Sequence, residues 1–264
     1  MASPAPQLAP LLSRAAPVIR VEGVVKGFPH GVQALGGVSF SVRAGELVAV
    51  LGPSGAGKTT LFRCLTGLTR PDAGQVFIHG RDICHIAGRE LRMARRDVAL
   101  IFQQFNLIRR LTAVQNVLAG RLASLSTWRV VARRFPRADR QIALACLDRV
   151  GLVDRAYARA DQLSGGQQQR VAIARALAQE AHLILADEPV ASLDPESAAT
   201  VLETLRAVAA QGVAVIASLH QVQLAVTYAD RIVALRAGRI VEDAPAARFD
   251  TRAIDQIYDR TIGS

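Results

Sequence analysis

The chain has 264 residues, half of them hydrophobic, and 32 Lys+Arg against 22 Asp+Glu give a formal net charge of +10. That length can bury a substantial core, and that apolar content excludes an intrinsically disordered chain. The positive balance points to an anionic partner, nucleic acid or a membrane surface, without choosing between them.

From the N-terminus, residues 1–17 are rich in Ala and Pro, and the first cation is Arg14. Prolines break any apolar signal-type run, so this stretch is expected to be a flexible tail and not a secretory signal. Residues 18–26 alternate apolar and polar side chains like a half-buried strand. Leu47–Leu51 is a short apolar run that predicts a buried strand, followed by a glycine-rich loop and a helical pattern over Lys58–Leu65. Further apolar runs fit for buried strands lie at 98–102, 183–186, 213–217 and 232–235. Helical patterns at 141–150, 166–179, 196–210 and 221–229 fall between or beside them. Strands alternating with helices predict an α/β core with a mostly parallel sheet. Residues 89–163 differ, with one central strand signal and then helical, arginine-rich sequence, and part of this is read as a helical subdomain inserted into the core.

The longest stretch without a formal charge, residues 211–229, carries Gln, Ser, Thr and His and is not a membrane span. The three cysteines, Cys64, Cys84 and Cys146, are far apart and form no CxxC pair. They read as inert thiols in a reducing compartment.

Gly52, Pro53, Ser54, Gly55, Ala56, Gly57, Lys58 and Thr59 fit GxxxxGK[ST] between a strand and a helix. The glycines let backbone N–H groups converge on phosphate oxygens, and the helix N-terminus adds a favourable dipole. Lys58 is placed to neutralise β/γ-phosphates, and Thr59 offers a hydroxyl to Mg²⁺. Thr60 follows in the same turn. Downstream, the apolar run 183–186 ends in Asp187 and Glu188. Beside the phosphate-loop strand, Asp187 would hold Mg²⁺ through its water shell, and Glu188 would polarise the attacking water. The cofactors read from these motifs are ATP and Mg²⁺.

Between these two motifs lies Leu163-Ser164-Gly165-Gly166-Gln167, followed by an arginine-studded helix. This LSGGQ stretch resembles the signature of ATP-binding cassette (ABC) ATPases. Its physical sense is a second anion site, with Ser164 and the Gly165 and Gly166 amides at another helix N-terminus. One chain needs one phosphate cradle, so two half-sites imply a head-to-tail pair in which each signature closes over the partner's ATP. The resemblance also implies roles for Gln103 (catalytic, touching Mg²⁺ or water), for Asp194 in the Ser192-Leu193-Asp194 loop, and for His220 as a γ-phosphate switch. It implies that Phe28 stacks on adenine. The stretches IFQQFNLIRRLTAVQNVLAGRL, ADQLSGGQQQRVAIARALAQE and ADEPVASLDPES are most similar to the ATP-binding subunits of phosphonate importers, and the similarity spans roughly residues 18–245.

The expected fold is therefore α/β, a P-loop NTPase core of the ABC ATPase type with a mostly parallel sheet, an antiparallel β-subdomain and an inserted helical subdomain. One domain is expected over 18–250, its helical part and signature at about 104–175, with a C-terminal helix at 251–264. What the resemblance implies is an ATPase that energises phosphonate uptake at the cytoplasmic face of the inner membrane. Its partners would be a second copy, transmembrane permease subunits and, indirectly, a solute-binding protein, with no nucleic acid. The alternatives are an importer for phosphite, phosphate or amino acids, a soluble ABC ATPase, and a nucleotide-binding regulator. The charge is regional: residues 89–140 hold twelve arginines and three acids, nearly the whole excess. This patch is expected to face the permease and the anionic leaflet.

Overall fold

The computed structural model describes residues 16–124 and 135–249. The first fifteen residues, the expected C-terminal helix at 251–264, and Arg129, Arg133 and Arg134 of the basic segment lie outside the described residues. In chain order the elements are β1 (Ile19–Phe28), β2 (Val32–Val42), β3 (Leu47–Leu51), α1 (Lys58–Leu65), β4 (Ala73–Ile78), β5 (Arg81–Asp82), α2 (Gly88–Ala94) and β6 (Val98–Ile101). They continue with α3 (Ala113–Leu118), α4 (Arg137–Arg149), α5 (Gly165–Ala178), β7 (Leu183–Ala186), α6 (Pro195–Ala210), β8 (Ala214–Ser218), α7 (Val222–Tyr228), β9 (Arg231–Arg236) and β10 (Arg239–Pro245).

The strands form two sheets, a six-stranded one in the order β10-β9-β3-β8-β7-β6 and a four-stranded one in the order β2-β1-β4-β5. In the larger sheet β9, β3, β8, β7 and β6 pair in parallel, and β10 closes one edge antiparallel to β9. Every residue of β3, β7 and β8 is buried, which explains their unbroken apolar runs. β10 alternates exposed and half-buried residues and ends at Pro245, where a missing N–H costs an edge strand nothing.

Alternate side chains of β3 enter different cores. Leu47, Ala49 and Leu51 join the cluster built by α3, α4, α5 and α6. Val48 and Val50 join the cluster shared by α1 and the antiparallel sheet. The parallel sheet is thus the middle of three layers. All pairings of the four-stranded sheet are antiparallel. Helices α3, α4 and α5 lie between β6 and β7 in sequence and pack on one another, with Val117, Leu147 and Ile173 fully buried. Arg121 ties this helical part at its base, pairing with Asp139 Oδ1 at 3.1 Å and Glu180 Oε2 at 2.7 Å.

Some boundaries move from the sequence reading. β1 runs two residues further, so Phe28 ends the strand. α4 starts at Arg137, directly after Pro136, which suits a helix entrance because it has no N–H to satisfy. The three cysteines are free and buried, and burial pushes the Cys64 thiol up to about 11, which keeps it protonated and unreactive.

Ile184 lies in β7, fully buried between two parallel neighbours. Ile184→Ala should destabilise the chain by about 2–5 kcal/mol, read as a fall in the urea midpoint at unchanged slope. An unchanged midpoint would contradict the packing described for this layer.

Candidate active site

The phosphate loop leaves β3 at Gly52 and enters α1 at Lys58. Two of its glycines are required by close backbone approach. A Cβ on Gly52 would lie 2.2 Å from Leu235 O of β9, and one on Gly57 would lie 2.4 Å from Ala34 O of β2. Both glycines also adopt positive φ, a conformation that side-chain-bearing residues rarely take. The loop is braced further by Gly238 N donating to Ala56 O at 3.0 Å. The loop and the first turn of α1 include Ser54, Gly55, Thr59 and Thr60, and the opening amides of a helix have no partner within it. Lys58 is buried, and its Nζ donates to Gly52 O at 2.7 Å and Pro53 O at 3.2 Å. Burial pulls the Lys58 pKa down, while the negative charges of Glu188 and Asp187 pull it up.

Those two acids follow β7, and Asp187 N donates to Ile101 O of β6 at 2.8 Å. Glu188 takes a left-handed backbone (φ +49°), a strain of about 1–3 kcal/mol for a residue other than glycine. Ser218, at the end of the adjacent β8, holds the pair in place. Its Oγ accepts from Glu188 N at 2.8 Å and donates to Asp187 Oδ1 at 2.8 Å. Two residues on, His220 Nε2 meets Glu188 Oε1 at 2.5 Å. Lys58, Asp187, Glu188, Ser218 and His220 therefore gather at one edge of the sheet, where β3, β7 and β8 end.

Phe28 ends β1 and is 41 % exposed, a ring presented to solvent at a strand end. The Lys26 ammonium lies 5.9 Å from its centroid, within cation–π range. Asp72 pins this strand end, taking Lys26 Nζ at 2.6 Å and Gly27 N at 2.7 Å. The Gly27 amide, then Lys26, hold the Asp72 carboxyl below its usual range.

The Ser164–Gln167 stretch caps α5. Ser164 Oγ accepts from Gln167 N at 3.3 Å, and Gln167 Oε1 accepts from Ser164 N at 3.0 Å. This capping box leaves the Ser164 hydroxyl proton and the Gly165 and Gly166 amides for an outside acceptor. A Cβ on Gly166 would lie 2.8 Å from Ser197 Cβ of α6, so the helix N-terminus is seated hard against α6. Asp194 caps α6, with Oδ1 accepting from Ser197 N at 2.9 Å, and bonds to Ser197 hold its pKa down. In this fold the Asp194 carboxylate serves the helix start. Gln103 is exposed in the turn just beyond β6. The bonds of Ser164 and Gln167 run to each other, and the signature begins α5 of the helical part.

Fold and site together define a P-loop ATPase, with a glycine-rich loop between strand and helix, a carboxylate–histidine pair at the ends of neighbouring strands, and a serine-capped helix start at the signature. A family model described as ABC transporter matches residues 35–191. A phosphonates import ATP-binding protein of Nostoc sp. is 53% identical over 243 residues, covering 91% of this chain and 92% of that protein. A hypophosphite import ATP-binding protein of Stutzerimonas stutzeri is 48% identical over 246 residues, covering 93% of this chain and 72% of that protein. Among solved structures, a dimeric ATP-binding cassette in a post-hydrolysis state with ADP and Pi matches with a TM-score of 0.74 at 33% identity, over 88% of this chain and 100% of that one. The ADP conformation of another cassette matches with a TM-score of 0.81 at 26% identity, over 94% of this chain and 100% of that one. The chain belongs to the ABC transporter family of ATP-binding proteins.

Ser218 and Asp72 were not singled out from the sequence. Ser218 carried a weak signal, a hydroxyl at the end of an apolar run two residues before His220. Asp72 carried none, because its partners at 26 and 27 lie far away in sequence. Ser218→Ala removes the bridge between the two acids, and kcat for ATP hydrolysis should fall about tenfold or more while the KM for ATP stays within about twofold. Asp72→Asn should weaken ATP binding about threefold or more and leave inorganic tripolyphosphate binding unchanged, both measured by calorimetry. Equal losses for the two ligands would contradict the expectation that the Phe28 end of β1, which Asp72 pins, meets the base.

Proposed function

We propose that this chain is the ATP-hydrolysing subunit of an importer that carries phosphonates across the cytoplasmic membrane. It works as a pair of copies with a transmembrane permease, seated peripherally on the cytoplasmic face. The observation that carries the hydrolytic part is the 2.5 Å contact of His220 Nε2 with Glu188 Oε1, beside the Asp187–Ser218 bridge. The phosphonate part is supported by relatives such as that of Nostoc sp.. The hypophosphite relative supports a second reading, in which the cargo is another small phosphorus oxyanion. Among the described residues no helix is long and apolar enough to cross a membrane. In this reading the permease supplies the translocation path.

In this reading Phe28 stacks on adenine and the loop 52–60 wraps the phosphates. Lys58 leaves its two backbone carbonyls for the β/γ-phosphate oxygens, a stronger charge-assisted partner than neutral carbonyls. Thr59 and Asp187 offer one hydroxyl and one carboxylate, and Gln103 offers an amide from the turn after β6, the strand that pairs with β7. These hard oxygen donors suit Mg²⁺, which takes most of its shell from water and phosphate, and the ion would supply positive charge against the β- and γ-oxygens. Glu188 orients the attacking water and takes its proton, and His220 holds the Glu188 carboxylate and the γ-phosphate in one geometry. Ser164, Gly165, Gly166 and Gln167 of a second copy, with its Asp194 loop alongside, complete each site across a head-to-tail interface. The dimeric cassette bound to ADP and Pi is consistent with such a pairing.

A groove of about 800 Å³ beside α2 and α5 carries part of the basic surface and is the proposed seat of the permease. A solute-binding protein would present cargo to that permease, and no residue of this chain is assigned to the cargo itself. Glu188→Gln keeps the shape of the site and removes the proton acceptor. It should bind ATP within about twofold of the native chain, lower turnover by at least about 10²-fold, and trap an ATP-dependent dimer on size exclusion. Brisk turnover by this variant would overturn the assignment.

A further inference from the structure

Gln169 sits in the second turn of α5 and is fully buried. Its neighbours along the helix have partners. Gln167 closes the cap with Ser164, Gln168 Nε2 donates to Leu163 O at 2.9 Å, and Arg170 Nη1 donates to Val150 O at 3.0 Å. Gln169 differs: neither its Nε2 nor its Oε1 has a hydrogen-bond partner among the described residues. Side chains of a helix lean toward its N-terminus, over the residues three and four positions earlier. For Gln169 those residues are Gly165 and Gly166, which carry no side chain to fill the space. The same two glycines rest on the segment that follows Glu188. A Cβ on Gly165 would lie 3.0 Å from Leu193 Cδ2, and one on Gly166 would lie 2.8 Å from Ser197 Cβ. Positions 165, 166 and 169 share one helix face, so the buried amide belongs to the face that meets residues 193–197.

A buried amide without a partner costs stability that a methionine of similar length does not. A buried water needs about two to four polar partners. Among the described residues no other buried side-chain atom is left without one, so no second side chain awaits a shared water. The neighbouring loop can supply what is missing. Residues 188–194 run through successive turns, with Ala191 N donating to Glu188 O at 3.3 Å and Leu193 N donating to Val190 O at 3.2 Å. Both bonds are longer than usual, so the loop is weakly bonded to itself and able to shift. We propose that Gln169 is a positioning residue, unpaired in this arrangement, whose amide pairs with backbone of the 188–194 loop when two copies close on ATP. That pairing joins the signature helix to the loop running from Glu188 to Asp194, so both parts of one chain move together. The hydrogen bonds gained favour the closed pair over the open one. The proposal rests on the reading of this chain as one half of an ATP-closed pair.

The test measures stability and closure separately in Gln169→Met and Gln169→Leu, which keep a similar volume and remove the amide. Without nucleotide, the thermal unfolding midpoint of each variant should rise by about 2–4 °C, because an orphaned polar group is gone. ADP binding by calorimetry should stay within about twofold of the native chain. In the Glu188→Gln background, the ATP concentration that half-assembles the dimer should rise at least about tenfold. Stability and closure then move in opposite directions, whereas loss of a merely structural contact would lower both. A midpoint that rises in neither variant would show the amide already satisfied, by water or by protein, and would overturn the proposal. A raised midpoint with unchanged assembly would overturn it too. Where the two variants differ, the more stable one decides. If Glu188→Gln with native Gln169 forms no ATP-dependent dimer, the paired reading of the site fails, and the coupling with it.

Discussion

The site depends on three parallel strands lying side by side. β3 pairs with β8 and β8 with β7, so that Val50 faces Ser218 and Ala186 faces Ala217. Their C-terminal ends therefore open at one edge of the sheet, where ligands of open α/β sheets bind. Lys58, the Asp187–Glu188 pair and the Ser218–His220 pair come from three distant parts of the chain and meet only because of that order. A one-residue slip in either pairing would turn the Ser218 hydroxyl away from the two acids.

Two features of the site are costly and are held by their surroundings. Lys58 is a buried cation, stabilised by loop carbonyls and by the charge of the two acids opposite. Glu188 is strained in its backbone, yet three neighbours fix it: the Ser218 hydroxyl at its amide, His220 at its carboxylate and the packed end of β7. Glu188 is consequently held in one geometry, while Lys58 is kept at the loop by carbonyls that it can exchange for a charged partner. The glycines at 52 and 57 belong to the same device, because backbone from β9 and β2 fills the space that side chains would take. The antiparallel sheet thus supports the phosphate loop directly.

Much of this was legible in the sequence because the relevant signals are local. The runs that became β3, β7, β8 and β9 are buried on both faces and show as unbroken apolar stretches. The phosphate loop and the LSGGQ cap are contiguous motifs whose chemistry follows from spacing. β2 was not read as an individual strand, because Gly36 and Gly37 interrupt its pattern and its pairing with β1 shifts register repeatedly. β10 was missed because an edge strand with exposed charges resembles a loop. Ser218 and Asp72 matter through partners far away in sequence, which no local pattern reports. The arginines of 89–140 were visible as a regional excess, but that Arg95 there and Arg175 further on hold the carbonyls of Thr66, Gly67, Phe105 and Asn106 appears only in the fold.

Of the twelve arginines in the basic stretch, Arg89, Arg92, Arg95 and Arg96 border one groove, together with Arg175 of the helix that carries the signature. The same helix, α5, starts at Ser164 and reaches the groove at Arg175. The central claim is that ATP hydrolysis here energises uptake of a phosphonate. It is tested most directly in proteoliposomes of the whole complex, with ATP inside and binding protein loaded with a phosphonate or hypophosphite outside. ATP hydrolysis and labelled uptake should rise together with the phosphonate-loaded protein. Hydrolysis unmoved by either loaded protein, or uptake that proceeds without ATP, would contradict it.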